Sequence, residues 1–339
     1  MPRIALDAMG GDHAPAATIA GALLALGELT GDSVIQLVGR EDAIAEALAR
    51  QGGVPAAWQA RIEIVHASEV IAMTDKPSAA VRGKRDSSMV VGLRLQADGK
   101  SDAFVSAGNT GAQMAGSTVV LRLHEGLTRP AIGTLLPTER GVPIVMLDSG
   151  ANVDCSPQEL LQFGRLGAVY AEDILGRTNP SVGLLSVGEE PEKGSLSVKE
   201  AHLLLAASGL NFVGNVEGHD VPHGRCAHGM LDVVVCDGFT GNVLLKFYES
   251  LAPMIFRLFE QAGVKCDGLD GVLSRFDYAQ YGGAPLLGVR GVSIICHGKS
   301  SPLAIKNAIH VASLAVEHRM SEHIGRSLRA AAEPTENGS

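Results

Sequence analysis

Five short segments set hydroxyl, amide, carboxylate and ammonium groups beside glycines just where an apolar run gives way to a helical pattern: DAMGGDHAP, SAGNTGA, LDSGANVDC, LSVGEEPEKG and CDGFTGN. In the first, Asp7, Asp12 and His13 flank Gly10 and Gly11, whose backbone freedom lets amide N–H groups approach an anion. The plainer reading is a strand-to-helix turn with Asp12 as N-cap. SAGNTGA offers Ser106, Asn109 and Thr110 around Gly108 and Gly111, either a cradle for phosphate or pantetheine polar groups or ordinary helix capping.

LDSGANVDC carries Asp148, Asn152 and Asp154, too few oxygen ligands for a hard cation, so loop bracing stands beside substrate contact as its reading. Lys193 lies in a glycine-flanked turn ahead of a helix, where an ammonium can meet a phosphate or a developing oxyanion, or simply be solvated. Thr240 and Asn242 open a further helix, and the Asn242 amide can donate to a thioester carbonyl oxygen.

The chain contains no GxSxG elbow, no HExxH helix and no cysteine beside an obvious histidine partner. It advertises no nucleophile of its own, as expected where the nucleophile is a substrate and phosphate attacks a thioester directly. Neither GxxxxGK[ST] nor GxGxxG with its acidic partner is present, which weakens kinase and dehydrogenase readings, although some dehydrogenases hold their cofactor through other loops. His219, His223, Cys226 and His228 have spacing compatible with zinc, but all four come from one short polar stretch that reads more simply as a surface loop. Neither a metal nor a cofactor is called for.

Nine apolar, β-branched runs position these turns: RIALDAM, SVIQLVG, RIEIVHA, DAFVSAG, PIVMLDSG, SVGLLSVG, NFVGNV, LDVVVCDG and VSIICHG. They alternate with helical stretches and are nearly continuous in apolar residues. That pattern belongs to a mainly parallel sheet with helices on each side, in which ligands collect at the carboxyl ends of the strands. With no linker or repeat to divide it, the chain reads as one compact unit over residues 1–325, followed by a disordered tail over 326–339. A long helix over 242–262 gathers Phe247, Tyr248, Phe256 and Phe259 around Pro253 in a protein with only 4% aromatic residues, so it must be covered by core, by a second subunit or by a membrane surface.

A formal net charge of −9 argues against nucleic-acid binding, which relies on Lys and Arg neutralising phosphates. Arg82, Lys84 and Arg85 form a basic cluster that either docks an acidic partner or is a solvated turn. Five scattered cysteines without a CxxC pair suggest reduced thiols in the cytosol, and the N-terminus has no apolar run of an export signal. The uncharged stretch from Ala103 to Leu121 is broken by Gly108, Asn109, Gly111 and Gln113 and reads as a loop entering a buried helix rather than a membrane span.

Taken in order, IALDAMGGDHAP, SAGNTGA, DSGANVDC, LLSVGEEPEKG, NFVGNVEG, DVVVCDGFTGNV, YGGAPLLGV and HGKSS closely resemble the acyl-ACP:phosphate acyltransferases of bacterial lipid synthesis, the PlsX family. The resemblance implies a three-layer α/β/α sandwich like that of the isocitrate and isopropylmalate dehydrogenases and the phosphotransacetylases. It implies a homodimer, attached peripherally to the inner face of the cell membrane, and a metal-free reaction of fatty acyl carrier protein with inorganic phosphate. The acyl phosphate formed would pass to a membrane-bound acyl phosphate:glycerol-3-phosphate acyltransferase. The lysine and asparagine that the family ties to catalysis correspond to Lys193 and Asn242. His297 in the HGKSS turn is a candidate proton shuttle, and acyl carrier protein, being acidic, would dock on Arg82, Lys84 and Arg85. The segment GHDVPHGRCAHGMLD is longer than in shorter family members, which sets its His/Cys cluster apart from the shared chemistry. Rival readings are a short-chain acyl-CoA:phosphate transferase, a decarboxylating dehydrogenase and a non-catalytic membrane scaffold.

Overall fold

The computed structural model describes residues 1–29, 31–263, 271 and 280–332. Each of the nine apolar runs contains a strand: Arg3–Asp7, Val34–Gly39, Ile62–His66, Ala103–Ser106, Ile144–Leu147, Ser181–Leu185, Asn211–Val216, Val233–Val235 and Val292–Ile295. Close packing divides the chain into two units, Met1–Arg122 with Tyr278–Ser321, and Leu123–Asp277 with Glu322–Ser339. No change of composition marks these boundaries, which is why the sequence reads as a single unit.

In the first unit Ile62–His66, Val34–Gly39, Arg3–Asp7, Ala103–Ser106 and Val292–Ile295 lie side by side in that order and run parallel. Ala284–Leu287 adds antiparallel to Val292–Ile295. Successive strand residues point to opposite faces, so the complete burial of Ile4, Ala5 and Leu6 in a row shows both faces covered. Helix Ala16–Glu28 packs on helix Pro302–Glu317, and helix Ser88–Ala97 packs on helix Thr110–Val120. The stretch from Ala103 to Leu121 is thus a strand, a turn and a helix.

The second unit orders its strands Thr134–Leu136, Ile144–Leu147, Val233–Val235, Ser181–Leu185 and Asn211–Val216, all parallel except the first. Helix Pro157–Asp173 opens with a complete capping box between Ser156 and Glu159 and packs against the central strands. Thr134–Leu136 and Ala284–Leu287 escape sequence reading because three or four residues, one of them Pro285, are too few to display a period.

Two boundaries differ from the sequence expectation. The long helix spans Gly238–Gln261, starting four residues before Asn242, because Asp237 caps it: its carboxylate accepts the Thr240 N–H and the Thr240 hydroxyl, both at 2.8 Å. At the C-terminus, helix Met320–Ala332 runs through Arg326–Ala332, where a tail was expected; residues 333–339 lie outside the described set. Its sequence is rich in good helix formers, Ile324 is buried, and the His323 ring stands 3.0 Å from the Asp173 carboxylate.

Among the described residues no helix is long and apolar enough to cross a membrane. Helix Gly238–Gln261 is not a core helix: Gly238, Gly241 and Tyr248 are its buried residues, while Phe247, Met254, Phe256 and Leu258 are exposed.

Candidate functional site

In the first unit the glycine turns meet at the ends of three neighbouring strands. Asp7, the last residue of its strand, is buried and accepts the Ser106 hydroxyl at 2.7 Å and the Met9 N–H at 3.1 Å. Burial pushes its carboxyl above the usual range, against hydrogen bonds from Ser88, Ser106, Met9 and Gly10 that pull the other way. A side chain at position 10 would collide with this arrangement, since a Cβ there would stand 2.7 Å from Asp7 Oδ2 and 2.8 Å from the Gly108 nitrogen. Gly11 has a φ of +106°, and the next N–H, of Asp12, donates to the Gly298 carbonyl at 2.7 Å, tying this turn to HGKSS.

Asp12 and His13 are exposed, and Asp12 does not cap helix Ala16–Glu28, which begins after Pro15 without a side-chain cap. Asn109 is committed to structure: its oxygen caps the Thr110–Val120 helix at the Ala112 N–H, and its amide donates to the carbonyls of Ala72, Met73 and Asp75. Thr110 is exposed at the start of that helix, and Gly111 packs closely on Pro77. His297 is exposed, and its Nδ1 accepts the Lys299 N–H at 3.1 Å, which leaves Nε2 to carry the proton of the neutral ring. In the same turn the buried Ser300 hydroxyl has no hydrogen-bond partner among the described residues.

In the second unit Asp148 is fully buried at the end of strand Ile144–Leu147. Its carboxylate accepts the N–H groups of Ile132, Ala151 and Asn152 and the Asn152 side-chain amide, at 2.6–3.1 Å. Burial raises its pKa while these bonds oppose the rise. Asn152 also donates to the Pro130 carbonyl at 2.8 Å. Both side chains therefore brace the turn.

Against this turn lies the start of helix Gly238–Gln261. A Cβ at Gly238 would stand 2.7 Å from Asp148 Oδ2, and one at Gly241 only 1.9 Å from the Asp148 carbonyl oxygen. The two glycines thus let the helix N-terminus approach the strand end closely. Asn242 follows, exposed, beside Gly150, where an added Cβ would stand 3.3 Å from Asn242 Cβ. Its carboxamide makes no hydrogen bond among the described residues. Thr240, by contrast, spends its hydroxyl on Asp237.

Lys193 is exposed in its turn, with its N–H on the Glu190 carbonyl at 3.0 Å and its stem over Gly188; its ammonium has no ion-pair partner among the described residues. The turn is braced from strand Asn211–Val216 by buried Asn215, which donates to the Glu190 carbonyl at 2.8 Å and pairs with His202 at 2.9 Å. Sequence reading missed Asn215, Asp237 and Ser88; a polar residue interrupting the apolar run NFVGNV was the available sign of the first.

The buried thiols are raised, Cys155 and Cys296 to about 12 and Cys236 well above the ordinary value, each chiefly by desolvation. Cys155, Cys226, Cys236 and Cys296 are free, and Cys266 lies outside the described residues. The His219–His228 stretch forms a short helix and the hairpin Arg225–Cys226 with Gly229–Met230. There His223 pairs with Glu139 at 3.0 Å and His219 lies 3.5 Å from Glu217 and from Asp220; among the described residues no group of three His, Cys, Asp or Glu could hold a metal ion. In the basic cluster Lys84 is bound to Asp75 at 2.6 Å and to the Val70 carbonyl, whereas Arg82 and Arg85 are exposed.

A family model described as a fatty acid synthesis protein matches residues 2–323. Phosphate acyltransferases of Desulfitobacterium hafniense and Pelotomaculum thermopropionicum are each 48% identical to this chain, over 338 and 339 residues, covering 96% of it and 97% and 95% of their own lengths. That of Koribacter versatilis is 47% identical over 359 residues, covering 98% of this chain and 95% of its own. In structure the chain is similar to the EutD phosphotransacetylase from Staphylococcus aureus (TM-score 0.61, 16% identity) and to a phosphotransacetylase from Streptococcus pyogenes (TM-score 0.62, 15% identity), each alignment covering 93% of this chain and 94% of the other. These two likenesses establish the α/β fold with its mainly parallel sheets. The family match and the near half-identity over almost the whole length together mean that the chain belongs to the phosphate acyltransferase family of fatty acid and phospholipid synthesis, and that it is an acyltransferase enzyme.

Proposed function

We propose that the enzyme transfers a fatty acyl group from acyl carrier protein to inorganic phosphate. The observation that carries this reading is the pairing of an unengaged amide donor with buried thiols held protonated among the described residues. Asn242 presents its carboxamide from the start of the second turn of a capped helix, while the buried cysteines of the same unit, Cys155 and Cys236, are held as thiols. Such a site positions and stabilises, and leaves the attack to a substrate.

A phosphate oxygen attacks the thioester carbonyl carbon, the carbonyl oxygen becomes an oxyanion, and collapse breaks the C–S bond. Hydrogen phosphate gives up its proton in the exchange and the departing sulfur takes one, so acyl phosphate and free thiol result. Asn242 is assigned to the carbonyl oxygen and Lys193 to the phosphate or the oxyanion, both being exposed and unpaired among the described residues. Within the first unit, taken by itself, the turns carrying Gly10, Gly11, Ser106 and Gly108 are assigned to binding anionic and polar groups, with His297 as a proton carrier there. Asp148, Asn152 and Asn109 act by holding turns in shape. No residue in this scheme calls for a metal or cofactor.

Purified protein incubated with acyl carrier protein thioester and phosphate should yield acyl hydroxamate when quenched with hydroxylamine, in proportion to the phosphate supplied. Absence of phosphate-dependent hydroxamate would sink the reading, and equal or better use of short acyl-CoA would favour the phosphotransacetylase alternative. Lys193→Ala should raise the KM for phosphate by about 10- to 100-fold, the value of a charge-assisted hydrogen bond. An unchanged phosphate KM and kcat would remove Lys193 from the site.

Acyl carrier protein is assigned to Arg82 and Arg85; Lys84 is already neutralised by Asp75. The double substitution Arg82→Glu with Arg85→Glu should raise the KM for the carrier-protein donor by about tenfold and flatten its salt dependence, leaving kcat in place. Kinetics identical to wild type across a salt series would move the docking surface elsewhere. The exposed Met254, Phe256 and Leu258 near the end of helix Gly238–Gln261 support peripheral attachment at the inner face of the cell membrane or homodimer contact. Attachment there would bring the product to a membrane-bound acyl phosphate:glycerol-3-phosphate acyltransferase.

A further inference from the structure

A groove of about 860 Å³ opens in the second unit beside the start of helix Gly238–Gln261, within the size range of about 300–1,000 Å³ that small-ligand clefts occupy. One wall is the stripe Phe239, Val243 and Phe247, spaced four residues apart and therefore on one helix face, each more than half exposed. Leu185, Val187 and Val198 also line it. Apolar side chains spaced in register and left in water mark a surface that meets something apolar. The carboxylates of Asp154 and Asp237 also line the groove, and no lysine or arginine does among the described residues, so an anion is a poor occupant. The thiols of Cys155 and Cys236 add to its apolar lining.

The groove is continuous in the chain with both residues assigned to the chemistry. Gly194 and Ser195, directly after Lys193, line it, and so does Val243, directly after Asn242. We propose that this groove holds the hydrocarbon chain of the acyl donor and that Val243 and Phe247 set the chain length accepted; the proposal rests on the acyl-transfer reading above and specifies where its apolar substrate lies. An extended chain lying along the stripe gains with every methylene it lays against Phe239, Val243 and Phe247, which makes donor length the measurable variable.

The test compares full-length wild type with Val243→Trp on thioester donors of 8, 10, 12, 14 and 16 carbons. In wild type kcat/KM should climb with length by up to about fourfold per methylene, the equivalent of ~0.8 kcal/mol, until the groove is filled. In Val243→Trp, with native circular dichroism, the 16-carbon to 8-carbon ratio should fall at least tenfold. A ratio equal to that of wild type, or a uniform loss at every length, overturns the proposal. So does a change in sedimentation mass in the variant, which would make the stripe an interface between copies of the chain. A second measurement does not depend on turnover: the fluorescent fatty acid cis-parinaric acid should bind wild type and bind Val243→Trp at least tenfold more weakly. Binding that follows this pattern without any acyl phosphate formation would uphold the groove and reject the acyl-transfer reading, and equal binding to both proteins would reject the groove alone.

Discussion

Asn242→Ala is expected to lower kcat for acyl phosphate formation by about 10²–10³-fold, the effect of about 3–4 kcal/mol that attends loss of one oxyanion donor in an acyl-transfer site. The side chain supports nothing in the resting protein: it is exposed, it sits on the helix surface just past the capped first turn, and its amide has no partner to lose among the described residues. Removal should therefore leave circular dichroism and melting temperature within error, which separates a role in the reaction from a role in folding. The KM for phosphate should change little, because the interaction strengthens as charge develops on the carbonyl oxygen rather than on phosphate binding. Asn242→Asp is the sharper companion, since a carboxylate of similar shape opposes an oxyanion and should be at least as impaired. A kcat within threefold of wild type in both variants would remove Asn242 from the mechanism.

Gly241→Ala should be severely damaging through a different cause. A methyl group there would stand 1.9 Å from the Asp148 carbonyl oxygen and 3.0 Å from the Cys236 sulfur. The Asp148 backbone cannot yield cheaply: its N–H is bonded to the Cys236 carbonyl at 2.9 Å, and its carboxylate is held by Ile132, Ala151 and Asn152. The first turn of the helix must move instead, and Asn242 moves with it. Overpacking of this kind costs about 1–3 kcal/mol or more, which should appear as a drop in melting temperature of about 2–4 °C per kcal/mol. Turnover should fall at least tenfold in the single variant. Adding Gly241→Ala to Asn242→Ala should cost little further kcat, because both act on the same group. Gly83→Ala, made where an added Cβ meets nothing within 4 Å, serves as the control. Full additivity of the two kcat losses would show that Gly241 does not work by placing Asn242.

The parallel α/β class could be read before any coordinates, because strands buried on both faces are written as unbroken apolar runs and their ends as glycine turns. Local order of this kind is a property of consecutive residues. So is the ordered set of motifs that pointed to the family. Helix limits were less legible: the Asp237 cap was hidden in CDGFTGN because glycines at 238 and 241 look like turn residues, while their reason is the close approach of the Asp148 strand end. The C-terminal helix was obscured by the small polar residues that follow it.

Only tertiary structure sorted the polar side chains into those already engaged and those left for substrate. Asp148, Asn109 and Lys84 carry the same chemical promise in the sequence as Lys193 and Asn242. Asp148 finds the Ile132 N–H, Asn109 finds three carbonyls between Ala72 and Asp75, and Lys84 finds Asp75, each partner lying several turns or a whole strand away along the chain. The cover of the long helix likewise stayed open in the sequence between core, second subunit and membrane surface, and in the structure its residues Phe239, Val243 and Phe247 line an open groove. Apolar periodicity and turn chemistry are encoded locally and so were determined by the sequence itself; hydrogen-bond partnership and exposure depend on atoms brought together from distant positions, and the tertiary structure alone decided them.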